Sequence, residues 1–211
     1  MNKLWIFGDS FSSYNGHFPT DDYYKYKGDG DGTWFEHLLE NYKTYSLELH
    51  SYGGSSNDTI FDTIVNNFNL IKPNDIVIIG MTFNNRVSAP PTPNGPLMDY
   101  HHNKPIIEHE FTENQINILD RFIVEFRFYN NSNGGYKEQS LMRFNFLKNI
   151  LINYINVKSC LIWDVHVEGN EYETIRTATD GTINDGHWSF RGHYDFYKWV
   201  LNKLRELNEL T

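Results

Sequence analysis

The sequence has little cysteine and little positive charge, and it has no long apolar run. Cys160 is the single cysteine among 211 residues, so an intrachain disulfide is excluded. The formal net charge of −9 argues against a nucleic-acid surface, which needs clustered lysine and arginine. No apolar stretch approaches the roughly 18 residues that a membrane-spanning helix requires. We therefore expect neither nucleic acid nor a membrane as a partner.

The first ten residues, MNKLWIFGDS, do not follow the pattern of a secretory signal peptide. They predict a strand where the apolar part of a leader would lie. We therefore expect a chain that is cytoplasmic as synthesised, with association with a virion as an alternative. The hydrophobic share of 39% and the charged share of 21% are typical of a globular protein, and the length favours one domain over residues 1–211.

Short apolar segments alternate with longer amphipathic ones along the chain. The apolar segments predict buried strands at 3–7, 44–49, 75–80 and 159–165. The amphipathic segments predict helices at 34–42, 57–68, 140–155 and 191–207, with Asn57 as the N-cap of the second. This alternation predicts an α/β fold whose mainly parallel sheet is covered by helices on both faces.

One stretch, at about 84–110, interrupts the alternation. It contains APPTPNGP, and prolines at this density predict an irregular excursion over the surface. Because it follows the third strand, it either forms one wall of a site or is a simple loop.

Ser10 follows the first strand in WIFGDSFSS, residues 5–13. A serine at the carboxyl end of a parallel strand is placed to act as a nucleophile, but its hydroxyl needs a base. His187 in NDGHWSFRGHYDF is our candidate base, and Asp185 is the candidate carboxylate that orients it. The same three letters, Asp-Gly-His before a helix, are also compatible with an ordinary turn and cap. Neighbouring Asp9 is assigned to loop structure rather than to chemistry.

Other residues compete for these roles. His193 is the rival base, and Asp180 and Asp195 are weaker alternatives to Asp185. For the oxyanion hole, we expect three hydrogen-bond donors, each of which follows a predicted strand at the same edge of the sheet. They are the backbone N–H groups of Ser10 and Gly54 and the side-chain amide of Asn84. Asn85 is the second choice for the side-chain donor.

Four blocks together resemble the SGNH hydrolases, also called GDSL esterases and lipases. FGDSFS is similar to the first block, GSSNDT to the second, GMTFNN to the third and DGHWSFRGH to the last. The blocks occur in the family's order and span residues 7–193. The third block departs from the usual Gly-x-Asn-Asp, and the last has one residue fewer between Asp and His. This shorter form resembles the last block of some polysaccharide O-acetyltransferases.

The resemblance implies a three-layer α/β/α sandwich with a five-stranded flavodoxin-like sheet, and a serine esterase that needs no cofactor or metal. Its substrate class would be a small-molecule or glycan ester, with an O-acetyl group on a carbohydrate as our leading expectation. Trp188 and Tyr14 could stack on a sugar, although we favour packing for Trp188. One alternative is a polysaccharide O-acetyltransferase. Another is a non-catalytic binding or structural module, such as a phage virion or tail component that assembles as an oligomer.

Overall fold

The computed structural model describes residues 1–13, 32–83, 86–89, 98–101, 104–105, 114, 135–165, 168, 171–174 and 186–209. The strands in these ranges are β1 Asn2–Gly8, β2 Tyr45–Ser51, β3 Ile76–Met81, β4 Arg86–Ala89, β5 Met98–His101, β6 Lys104–Pro105 and β7 Ser159–Asp164. The α-helices are α1 Trp34–Asn41, α2 Asn57–Asn67, α3 Gly135–Ile150 and α4 Phe190–Glu209. A π-helical turn, Leu151–Ile155, continues α3, and short 3₁₀ turns span Ser10–Ser12 and Phe68–Leu70.

A four-stranded parallel sheet in the order β2-β1-β3-β7 forms the centre of the fold. The four apolar segments that predict strands all lie in it, which confirms the α/β class and the parallel pairing. The fifth strand that the resemblance implies is not found in the described part of the chain. The five-stranded flavodoxin-like sheet therefore stays a prediction.

The excursion at about 84–110 is more regular than the sequence predicts. Its described residues form a separate antiparallel sheet in the order β4-β5-β6. The prolines explain the difference, because Pro90, Pro91, Pro93 and Pro96 fall between β4 and β5 in the sequence rather than within either strand. Pro105 lies in β6, an edge strand, where a missing N–H can be tolerated.

Helices cover both faces of the parallel sheet. Side chains of β1 alternate between the faces, so that Leu4 and Ile6 pack with α1 and α4, while Trp5 and Phe7 pack with α2 and α3. This arrangement is compatible with an α/β/α sandwich. Both faces of the sheet are apolar because neither is exposed to water. The strands therefore appear in the sequence as near-continuous hydrophobic runs. Cys160 is fully buried in the second face, as expected, and burial raises the pKa of its thiol to about 12.

The start of α2 corrects one expectation. Ser56, rather than Asn57, is the N-cap, and its side chain accepts a hydrogen bond from the Thr59 N–H. Asn57 is the first helical residue, and its side chain turns instead toward Thr82 at the end of β3. Serine and asparagine have similar preferences for the N-cap position. The tertiary contact of Asn57 therefore decides which of the two residues caps the helix.

In the described part of the chain, no helix is both long and apolar enough to cross a bilayer.

Candidate active site

The chain turns sharply at the carboxyl end of β1 and presents Ser10. Asp9 caps the 3₁₀ turn that begins with Ser10, because its Oδ1 accepts a hydrogen bond from the Phe11 N–H at 3.1 Å. Ser10 is only 6% exposed. A side chain at Gly8 would meet Ser12 Oγ at 2.9 Å, so the absence of a Cβ lets the turn fold back against the strand. Asp9 thus has the local structural role that its position predicts.

His187 meets Ser10 at this turn. Its Nε2 lies 2.7 Å from Ser10 Oγ, which is within hydrogen-bonding distance. The His187 ring is half-buried and packs against the Phe11 ring, with 5.1 Å between the ring centroids. An activated serine nucleophile requires an imidazole nitrogen within hydrogen-bonding distance of its hydroxyl, and this contact meets that requirement.

A buried aromatic residue anchors the segment that carries His187. Trp188 is 1% exposed and forms an isolated β-bridge with Thr174. Its ring contacts the rings of Phe11, Trp163, Tyr172, His193 and Phe196. The packing role that we favoured for Trp188 is therefore confirmed. Tyr14, the other residue considered for sugar stacking, lies outside the described residues.

Ser189 joins this segment to the last helix. Its Oγ accepts a hydrogen bond from the Gly192 N–H and donates one to Glu173 Oε1. Its backbone N–H also donates to the Glu173 carbonyl at 3.1 Å. A Cβ built at Gly192 would lie 2.1 Å from that carbonyl oxygen, so α4 can approach Glu173 only because position 192 is glycine. The backbone on the C-terminal side of His187 is therefore held at several points.

The turn after β2 lies next to the Ser10 turn. The Tyr52 N–H donates to the Gly8 carbonyl at 3.3 Å, and Gly8 pairs with Ser51 in the register of the sheet. Gly54 follows in this turn with φ of +83°, a left-handed conformation that favours glycine. The structure thus brings the expected glycine of the second block to the same edge as Ser10. The expected side-chain donors, Asn84 and Asn85, lie outside the described residues.

The competing acids and bases have different surroundings. Asp185 and Asp180 lie outside the described residues. Asp195 is on the exposed side of α4, where it forms ion pairs with Arg191 and Lys198. His193 is 4% exposed and packs edge-on against Trp188, whereas His187 is the histidine that contacts Ser10. The structure therefore places the primary candidate base, and not its rival, at the nucleophile.

Thr82 is a site residue that the sequence analysis did not single out. Its hydroxyl donates a hydrogen bond of 2.6 Å to Asp9 Oδ2. Its backbone N–H and carbonyl bond to the Oδ1 and Nδ2 atoms of Asn57 at 2.9 and 3.2 Å. The only available signal was position, because Thr82 lies within the third block, GMTFNN, directly after β3.

No protein-family model and no curated protein matches this sequence. The likeness to SGNH hydrolases therefore rests on the four sequence blocks. Among the described residues, no group of three or more His, Cys, Asp or Glu side chains is placed to hold a metal ion.

Proposed function

We propose that this chain is a serine esterase of the SGNH type, which hydrolyses an acyl ester through an acyl-enzyme on Ser10. The 2.7 Å contact between Ser10 Oγ and His187 Nε2 carries the proposal. Two sequence-distant residues of the matching types meet at the carboxyl edge of a parallel sheet, where open α/β folds bind ligands. The four ordered blocks support the same assignment, as does a sheet order compatible with the flavodoxin-like arrangement.

The proposed reaction needs only groups of this chain and water. Ser10 Oγ attacks the ester carbonyl carbon while its proton moves to His187 Nε2. This attack converts the ester carbonyl into a tetrahedral intermediate that carries an oxyanion. The C–O bond to the alcohol then breaks, and the alkoxide takes the proton from His187. Water attacks the acyl-enzyme in the same way, releasing the carboxylic acid and restoring Ser10. Asp185 is assigned to orient the imidazole and to stabilise its charged form.

The oxyanion requires donors fixed in advance of the reaction. We assign the Ser10 N–H, the Gly54 N–H and the side-chain amide of Asn84 to this role, with Asn85 as second choice for the amide. The proximity of the Gly54 turn to the end of β1 supports the first two. The proposed substrate is an acetyl ester on a carbohydrate hydroxyl, an assignment that rests on the family resemblance.

A fluorophosphonate probe tests the activated serine directly. Mass spectrometry of the labelled, folded protein should locate a single adduct on Ser10, and Ser10→Ala should not react. Ser46→Ala is the matched control, because Ser46 pairs with Lys3 at the opposite end of the strands. It should label like the wild type. Absence of an adduct in folded wild-type protein would contradict the proposal and favour a binding or structural module.

Product analysis then separates hydrolysis from transfer. With an acetylated sugar as substrate, the esterase should release acetate at the same yield with and without an acceptor glycan. Acetylation of the added glycan in place of acetate release would instead identify an O-acetyltransferase.

A further inference from the structure

Three segments of the candidate site are joined by one buried hydrogen-bonded unit, which we call the Thr82 clamp. It consists of Asp9, Asn57 and Thr82, which are 2%, 1% and 0% exposed. The Thr82 hydroxyl donates to Asp9, and the Asn57 side chain bonds to the N–H and carbonyl of Thr82. The clamp thus connects the ends of β1 and β3 with the first turn of α2.

Each segment in the clamp leads directly to a proposed reacting group. Asp9 precedes the nucleophile Ser10, and its other carboxylate oxygen accepts from the Phe11 N–H. Asn57 begins α2 shortly after Gly54. Thr82 ends the segment that continues to Asn84. The distances between the nucleophile and the proposed oxyanion donors therefore depend on how these three segments are held together.

The chemistry of the clamp makes it rigid. The bond from the Thr82 hydroxyl to the Asp9 carboxylate is 2.6 Å long, as expected for a charge-assisted hydrogen bond. Because the three residues are buried, water has little access to replace a hydrogen bond that is lost between them. The Asn57 amide binds the donor and the acceptor of the same residue, which fixes the backbone orientation where β3 ends.

We infer that Thr82 and Asn57 are positioning residues that set the distance between Ser10 and the oxyanion donors. This inference rests on the proposed esterase function and assigns no direct contact with substrate to either residue. A displaced oxyanion donor weakens binding of the transition state more than binding of the ester. The clamp should therefore affect kcat and the rate of acylation, with little effect on KM.

Two substitutions at position 82 isolate the hydroxyl. Thr82→Val has nearly the same shape and lacks the bond to Asp9, whereas Thr82→Ser keeps a hydroxyl. Thr82→Val should lower kcat and the fluorophosphonate labelling rate by roughly 10- to 100-fold, the effect expected of a small misplacement. Thr82→Ser should recover most of the loss. Thr63→Val is the matched control, because the Thr63 hydroxyl donates to the Thr59 carbonyl at 2.7 Å within α2. It should keep the wild-type kcat.

Asn57→Ala provides a second variant that does not depend on the Thr82 side chain. It should lower kcat with KM unchanged, and its combination with Thr82→Val should cost less than the product of the two single effects, because both break one unit. Thermal unfolding and near-UV circular dichroism identify the folded fraction to which each rate is normalised.

The outcomes separate the inference from the function on which it rests. If wild-type protein reacts at Ser10 but both folded variants acylate at the wild-type rate, the clamp supports only the fold and the inference is wrong. Equal losses in Thr82→Ser and Thr82→Val would also overturn it, since the hydroxyl would then not matter. If folded wild-type protein does not react, the esterase proposal itself fails.

Discussion

Ser10 Oγ and His187 Nε2 are 2.7 Å apart, although 177 positions separate the two residues in the sequence. One residue follows the first strand of the sheet, and the other precedes the last helix. Their contact requires that β1, the Trp188 anchor and the start of α4 all adopt their observed positions.

Removal of the imidazole should stop proton transfer while leaving ester binding intact. We expect His187→Gln to reduce kcat by about 10²- to 10⁴-fold with a small change in KM, as for loss of a general base. Steady-state kinetics on an acetyl ester measures both constants. An unchanged kcat in folded His187→Gln protein would exclude His187 as the base.

Gly192 should be required for the close approach of α4 to Glu173. Gly192→Ala places a Cβ 2.1 Å from a backbone oxygen, so we expect a loss of roughly 1–3 kcal/mol in the free energy of unfolding. Gly186→Ala is the matched control, since a Cβ at Gly186 has no neighbour within 4 Å. Urea denaturation compares the two variants. Equal stability of both would show that α4 tolerates a shift at this contact.

Asp75 should stabilise the amino-terminal end of the parallel sheet, which lies opposite the carboxyl end that carries the candidate site. Its buried carboxylate accepts hydrogen bonds from the Lys3 N–H, the Lys72 N–H and the Trp5 indole at 2.8–2.9 Å. Asp75→Ala leaves three donors without this acceptor, and each costs about 1–3 kcal/mol, so we expect a loss of roughly 3 kcal/mol or more. The kcat of the folded fraction should not change. Asp62→Ala, which removes an exposed carboxylate from α2, is the control for general loss of charge. A loss no larger than that of the control would contradict the prediction.

His50 should make stability depend on pH. Burial lowers the pKa of His50, with Glu48 opposing the shift and Lys3 reinforcing it. Between the lowered folded pKa and about 6.5, the usual histidine pKa, the unfolded chain therefore binds more protons than the folded protein. Stability contributed by neutral His50 is present above this value and is lost as the pH falls toward the lowered folded pKa.

The substitution His50→Phe separates this titration from packing. The His50 ring stacks on Phe7 and Trp5, with centroid distances of 5.3 and 5.6 Å, and phenylalanine can keep that stacking without a titrating group. Chemical denaturation at pH 7.5 and at pH 5 should show a smaller acid-induced loss for the variant than for the wild type. The same loss in both proteins would exclude His50 as its source.

Much of the framework could be predicted because its signals are local. A run such as IVIIG can be buried on both sides only in a covered sheet, and Trp34 to Asn41 shows its apolar face within two turns. The prediction that Asn57 is the N-cap of α2 was wrong, because two adjacent residues had side chains that can cap a helix. Their local preferences were similar, and the deciding contact of Asn57 is with Thr82, a residue 25 positions away in the sequence.

The sequence by itself determined the alternation of strands and helices, the exclusion of an intrachain disulfide and the candidates Ser10 and His187. Tertiary structure decided that His187 rather than His193 meets the serine, because Trp188 is anchored against Thr174 and the aromatic core. It also decided the role of Thr82, whose partners come from two other segments. Spacing along the chain can nominate such groups, but only packing of the elements that carry them brings their atoms within hydrogen-bonding distance.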